Sequence, residues 1–101
     1  MIRMGSVMKF EWNRQKAISN FKKHQIDFEE AVSIFRDPFA KIFNDVWHSE
    51  NEHRELIIGY SYKHRLLIVS FIERDENVVR IVSARKTTAR ERLDYEENQR
   101  Q

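Results

Sequence analysis

A small α+β domain, with helices against one face of an antiparallel sheet, is the fold class this sequence predicts. Three observations carry it. Two short helical stripes near the N-terminus end in stop signals, the stretch from Phe39 to Lys86 reads as consecutive strands, and a polar helical stretch closes the chain. Helices before and after an uninterrupted run of strands give the order βααββββα.

The first strand is Met8–Trp12. Asn13 caps a helix over residues 14–24, whose apolar positions are Ala17, Ile18 and Phe21. That stripe is narrow, so one side packs and the rest faces water. Lys22, Lys23 and His24 suit the helix C-terminus, where the dipole favours cations. Asp27, with Glu30 three residues on, resembles a capping box that opens the second helix. Phe28, Ala31, Val32 and Phe35 then form one core-facing stripe. Pro38 ends it and disfavours helical geometry at Asp37.

Four strand runs follow. Phe39–Phe43 is the first, and Val46–Glu52 is a polar connection. Glu55–Tyr62 and Arg65–Glu73 are joined by a turn at Lys63-His64, and Asp75-Glu76-Asn77 turns into the last strand, 78–85. Short links between consecutive strands predict an antiparallel meander. Leu67, Val69 and Phe71 alternate with Leu66, Ile68 and Ile72, so the Arg65–Glu73 run is apolar on both faces and reads as central. Thr87 or Thr88 caps a final helix over about residues 88–98, whose few apolar residues are Ala89, Leu93 and Tyr95. Residues 1–7 read as a ragged lead-in and 8–101 as a single domain, since 101 residues suit one small core.

No cysteine is present, so disulfides play no part, which fits a reducing compartment. No segment resembles a secretory signal or a membrane span. Formal net charge is only +2, but its distribution is uneven. Arg14, Lys16, Lys22 and Lys23 form one basic block, and Arg80, Arg85, Lys86, Arg90 and Arg92 form another, against Glu91 alone. A local basic patch on a near-neutral chain points to a phosphate site better than to general nucleic-acid coating.

The richest stretch is Ser83–Arg92, where a strand delivers cations to a helix start; helix N-termini and arginine forks both suit phosphate. The competing reading is a solvated basic loop. His48 and His53, with Glu50 and Glu52 between them, invite a metal reading, but the segment reads as a polar loop and no metal site or cofactor is assigned. The remaining groups, Lys16, Lys23, His24, Arg65, Ser83, Arg85, Arg92 and Tyr95, hold phosphate and move protons without a metal. RNA needs only those, because its 2′-hydroxyl can attack the adjacent phosphorus once a base removes the proton.

The ordered set Phe10-Glu11-Trp12, Lys16, Asn20, Lys23-His24, Phe28-Glu29-Glu30-Ala31, His48-Ser49, Glu52-His53-Arg54, Ile58-Gly59, Arg65, Ile81–Lys86, Arg90-Glu91-Arg92 and Tyr95 resembles the BrnT family of toxins from bacterial type II toxin–antitoxin modules. It departs from the family at Gln25 and at Lys63-His64, where glycine is usual. The resemblance implies a RelE-like fold and a cytoplasmic, metal-independent endoribonuclease that arrests translation. It also implies neutralisation by a BrnA-like antitoxin, through which alone the complex binds DNA. It carries Lys23, His24, Arg65, Ser83, Arg85 and Tyr95 over as catalytic candidates. Arg85 and Arg65 are expected to hold the scissile phosphate, His24 or Lys23 to transfer a proton, Tyr95 to donate a proton or stack, and Ser83 to position Arg85 or bond phosphate. Lys16, Lys86, Arg90 and Arg92 are expected at an RNA-binding rim.

Two rival classes remain open on sequence grounds: a non-enzymatic basic binding module and a heterodimer subunit whose catalysis has decayed. An enzyme loses activity on loss of Arg85, whereas a binding module loses affinity with a salt slope. Tyr60, Tyr62, Phe71 and Trp47 are expected to leave an exposed aromatic surface for a partner.

Overall fold

A computed structural model describes residues 8–45 and 53–99. The order is β1 (Lys9–Trp12), α1 (Arg14–His24), α2 (Phe28–Ser33) with a 3-10 turn at Ile34–Arg36, β2 (Lys41–Asn44), β3 (Glu55–Tyr60), β4 (Leu66–Asp75), β5 (Val78–Lys86) and α3 (Ala89–Gln99). The predicted order therefore holds. The expected lead-in and the Val46–Glu52 connection, with Trp47, lie outside the described residues.

The five strands form one sheet in the order β1-β5-β4-β3-β2. β2 to β5 make the expected antiparallel meander, but β1 runs parallel to β5, with Lys9 opposite Val78 and Trp12 opposite Ile81, so the sheet is mixed. The reason is connectivity. A chain that leaves β1 through two helices before returning need not pair β1 as a hairpin, and a crossover of this length permits parallel pairing.

β4 is central and buried throughout Leu66–Ile72, as its two-sided apolar pattern predicts. On the helical face, Leu67, Val69 and Phe71 of β4, Ile57 of β3 and Val79, Ile81 and Ala84 of β5 pack with Ile26, Phe28, Ala31 and Ile34. Phe35 links layers, edge-on to both Phe10 and Phe71, and Trp12 meets Phe28 in the same way. Phe71 is 0 % exposed, so it belongs to this core and not to the exposed aromatic surface expected of it.

Alternation along β5 is broken once. Phe71 pairs with Ile81 but Ser70 pairs with Ser83, which leaves Val82 over as a bulge. Before it, Val79 and Ile81 face the helices; after it, Ala84 does, and Ser83 and Arg85 point to the opposite face.

Each helix start uses a side-chain cap. Asn13 accepts from the Lys16 N–H at 3.0 Å and Asp27 from the Glu30 N–H at 2.7 Å. The expected capping box at Asp27 is only half formed, because the Glu30 side chain turns inward instead. The complete box is at α3: Glu91 N–H donates to Thr88 Oγ1 at 3.1 Å, and Thr88 N–H donates to Glu91 Oε1 at 2.8 Å. Gln25 takes the left-handed conformation that ends α1 (φ 63°), its N–H reaching the Phe21 carbonyl, so the helix end forms without the usual glycine. His64 does the same in the β3–β4 turn.

Candidate active site

β1 covers β5 only as far as Ile81, so the outer edge of β5 beyond it needs another partner. Asn20 supplies it. From the buried side of α1 it accepts from the Ala84 N–H at 3.0 Å and donates to the Ala84 carbonyl at 2.9 Å and to the Ile26 carbonyl at 3.0 Å. An amide is the side chain that mimics a strand's alternating donor and acceptor. The contact fixes the C-terminal end of α1, which carries Lys23 and His24, beside the end of β5, which carries Ser83 and Arg85.

A cavity of about 280 Å³ opens there. Its floor is a row of the sheet, Leu56, Ser70 and Ser83 lying opposite one another on β3, β4 and β5, with Ile68 beside Arg85 in the next row. His24, Arg54 and Asp45 complete the wall. Three of the predicted catalytic residues, His24, Ser83 and Arg85, are thus brought together. Arg54, Asp45 and Ser70 join them without having been named as site candidates. The signal for Arg54 was its place in the Glu52-His53-Arg54 segment of the resemblance, one residue before β3. The Ser70 hydroxyl is buried at the cavity floor with no hydrogen-bond partner among the described residues.

Arg85 is not a free cation. Its Nη1 donates to Glu91 Oε1 at 2.8 Å and to the Lys86 carbonyl, and its Nη2 donates to Glu91 Oε2 at 2.9 Å. Hydrogen bonding from Arg85, with help from Thr88, lowers the Glu91 carboxyl from 4.5 to about 2, and Glu91 in turn raises the Arg85 guanidinium. One carboxylate therefore caps α3 and fixes the arginine. Glu91 is a site residue that the charge pattern missed, although its place three residues after Thr88 was the signal.

Arg65 is outside the cavity lining. Its Nε donates to Glu30 Oε2 at 2.8 Å and its Nη2 to Glu30 Oε1, while Nη2 also reaches the Gln25 carbonyl. Ser61 Oγ donates to the same carboxylate at 2.7 Å. Burial pushes the Glu30 carboxyl up, but the hydrogen bonds from Arg65 and Ser61 outweigh it and the net shift is downward. Arg65 is raised by the same hydrogen bond. Tyr95 also lies elsewhere, nearly buried, edge-on to Tyr60, with its hydroxyl donating to the Phe39 carbonyl at 2.9 Å. Lys16, Lys23, Lys86, Arg90 and Arg92 are exposed, and Arg90 pairs loosely with Asp94 at 3.4 Å. His53 is exposed; the rest of the His48–His53 segment considered for a metal lies outside the described residues.

The arrangement is a small cavity in which a fixed arginine, hydroxyls and an imidazole share one end of a small sheet. A family model described as the ribonuclease toxin, BrnT, of type II toxin–antitoxin systems matches residues 12–91. The fold is similar to the 1.1 Å crystal structure of the Brucella abortus ribonuclease toxin BrnT, with a TM-score of 0.58 and 24 % identity over 81 % of this chain and 99 % of that one. No curated protein sequence matches the chain. The chain belongs to the BrnT family of ribonuclease toxins of type II toxin–antitoxin systems. No helix among the described residues is long and apolar enough to cross a membrane.

Proposed function

We propose that this chain is a cytoplasmic, RelE-like endoribonuclease that cuts RNA without a metal ion and so arrests translation. The observation that carries the reading is that His24, Ser83, Arg85 and Arg54 line one cavity. The substrate supplies its own nucleophile. A proton leaves the ribose 2′-hydroxyl, the 2′-oxygen bonds to phosphorus, the P–O5′ bond breaks and the 5′-oxygen takes up a proton. The products are a 2′,3′-cyclic phosphate and a 5′-hydroxyl.

His24 is the proton-transfer group, its imidazole lining the cavity together with Ser83 and Arg85. Arg85 faces the developing charge on the phosphoryl oxygens, preorganised by Glu91. Ser83 hydrogen-bonds the phosphate beside it. Lys23 and Arg65, at the end of α1 that carries His24, assist on adjoining phosphates, with Arg65 anchored through Glu30. Tyr95 acts beside the RNA, holding the Phe39 loop through its hydroxyl and packing edge-on to Tyr60. Lys16, Lys86, Arg90 and Arg92 form the rim that steers RNA in.

The partner is a small BrnA-like antitoxin. An acidic or amphipathic segment of it lies over or beside the Arg65–Arg85 patch and blocks RNA, and DNA binding by the pair comes from the antitoxin. The test is cleavage of a single-stranded RNA by the purified, partner-free chain in excess EDTA, with the product ends identified. Cyclic or 3′-phosphate ends are expected. Activity that disappears with EDTA and returns with Mg²⁺ or Mn²⁺ overturns the mechanism.

A further inference from the structure

Away from the cavity, the loop between the 3-10 turn and β2 bends against the end of β3. Asp37 holds it there: one carboxylate oxygen accepts from the Phe39 N–H at 2.9 Å and the other from the Tyr60 N–H at 2.8 Å. Gly59 permits the approach, since a Cβ on it would stand 2.9 Å from the Ala40 Cβ and 3.3 Å from Asp37. The loop thereby presents Phe39, which is 67 % exposed, beside the half-exposed ring of Tyr60. Tyr95 closes the back of the recess. Phe39, Tyr60, Tyr95 and Asp37 line a cup of about 310 Å³, mostly apolar, with one carboxylate in its wall.

Two relations tie the cup to the Arg85 site. Tyr95 follows Glu91 by four residues on α3, so it lies on the same helix face one turn away, about 6 Å along the axis. Tyr60 follows Ile58 by two residues, and Ile58, Ile68 and Arg85 pair across β3, β4 and β5, so Tyr60 lies on the same sheet face as Arg85, two strands across and two residues along, about 12 Å away. An aromatic recess at that distance from a phosphate-holding arginine is within reach of the same single RNA strand one or two nucleotides along, when its bases are splayed outward. Aromatic faces stack on any base. The Asp37 carboxylate keeps acceptor capacity beyond its two backbone bonds and offers it to a base edge that carries N–H groups.

We propose that the Phe39–Tyr60–Tyr95 cup is a base-stacking subsite for an RNA nucleotide within two positions of the one cut. The proposal rests on the ribonuclease reading for the location of the cut, but its test does not depend on cleavage.

Binding of a single-stranded oligoribonucleotide is measured by fluorescence anisotropy alongside its cleavage, with an abasic residue walked through the two positions on each side of the cut, or along the whole strand where no cut occurs. In the wild-type chain, one position is expected to lose about tenfold or more in affinity or kcat/KM when abasic, the scale of one aromatic–base stack. Phe39→Ala should lose a similar factor on intact RNA and show no further loss on the abasic strand, while Phe39→Trp restores the discrimination. Tyr60→Leu provides a second variant, since Phe39 and Tyr60 both lie at the surface. Phe39→Ala and Tyr60→Leu chains that keep wild-type sensitivity to the abasic walk overturn the proposal, as does a walk with no sensitive position. If Phe39→Ala weakens capture by the antitoxin and leaves RNA binding unchanged, the cup is a protein-docking surface and the proposal is overturned. Abasic-sensitive binding with no cleavage refutes the nuclease reading while the subsite stands.

Discussion

Arg85 and Glu91 face each other as a two-pronged ion pair, Nη1 donating to Oε1 at 2.8 Å and Nη2 to Oε2 at 2.9 Å. The same carboxylate closes the cap of α3 through Thr88. The orientation of the arginine and the start of the last helix are therefore one structural event. The pair is partly exposed, so its worth to stability is modest, near 1 kcal/mol or below; its consequence is geometric.

Replacing Arg85 should separate chemistry from folding. Arg85→Ala is expected to lower cleavage by roughly a hundredfold or more, the scale of one lost transition-state donor, while the unfolding free energy falls by no more than about 1 kcal/mol. Arg85→Lys should also be poor, because a point charge cannot meet Glu91 and phosphate as a fork does. A folded Arg85→Ala chain that cleaves normally would move the site.

Glu91 and Thr88 offer a cleaner division. Glu91→Gln keeps an acceptor for the Thr88 N–H but removes the charge that orients Arg85, so kcat should fall roughly tenfold, about 1.4 kcal/mol of barrier, with no more than about 1 kcal/mol of stability lost with the partly exposed pair. Thr88→Ala should do the reverse, costing about 1 kcal/mol of stability through the lost cap with cleavage per folded molecule unchanged. Circular dichroism and single-turnover kinetics on both variants decide it.

The acid limb of stability follows from Glu91 and Glu30. Both carboxyls are lowered in the folded chain, Glu91 from 4.5 to about 2. A lowered carboxyl contributes its full stability above its unfolded value and loses it as pH falls through its folded value. Urea titrations should therefore show stability declining between about pH 4.5 and 2, with a shallower decline in Glu91→Gln.

Arg65 should behave differently from Arg85. Its partner Glu30 is 0 % exposed, so Arg65→Ala leaves a buried carboxylate uncompensated and is expected to cost about 3 kcal/mol or more. Arg65→Ala combined with Glu30→Gln should recover part of that loss. Equal stability of Arg65→Ala and wild type in urea would contradict the pairing.

Asn20 is expected to be among the costliest surface-helix positions. Asn20→Ala strands the N–H and carbonyl of Ala84 at a buried edge, a loss of about 2 kcal/mol or more. It also frees the end of α1 from β5, so the distance between His24 and Arg85 is no longer set. Denaturant unfolding reads the first effect, and a fall in kcat beyond the unfolded fraction reads the second.

Much of this protein was legible in its sequence because the signals are local. Asn13, Asp27 and Thr88 cap where their side chains allow, the helical stripe from Phe28 to Phe35 and the two-sided apolar pattern of Leu66–Ile72 sort inside from outside, and each depends only on near neighbours. The basic junction at Ser83–Arg92 was likewise readable as a strand delivering cations to a helix. What only the tertiary structure decided is pairing across distance. Strict alternation from Ile81 would have turned Ser83 and Arg85 toward the helices; the bulge at Val82, set by the register against β4, turns them to the open face. Sequence also placed β1 in an antiparallel sheet and Glu30 in a capping box. The helical crossover set β1 parallel to β5, and Arg65, 35 residues away, drew the Glu30 side chain inward. Arg85 met Glu91, and Asn20 met Ala84 across 64 residues, for the same reason. A polar group's partner is chosen by whichever complementary group folding brings within hydrogen-bond reach, and sequence spacing specifies that only inside a single element.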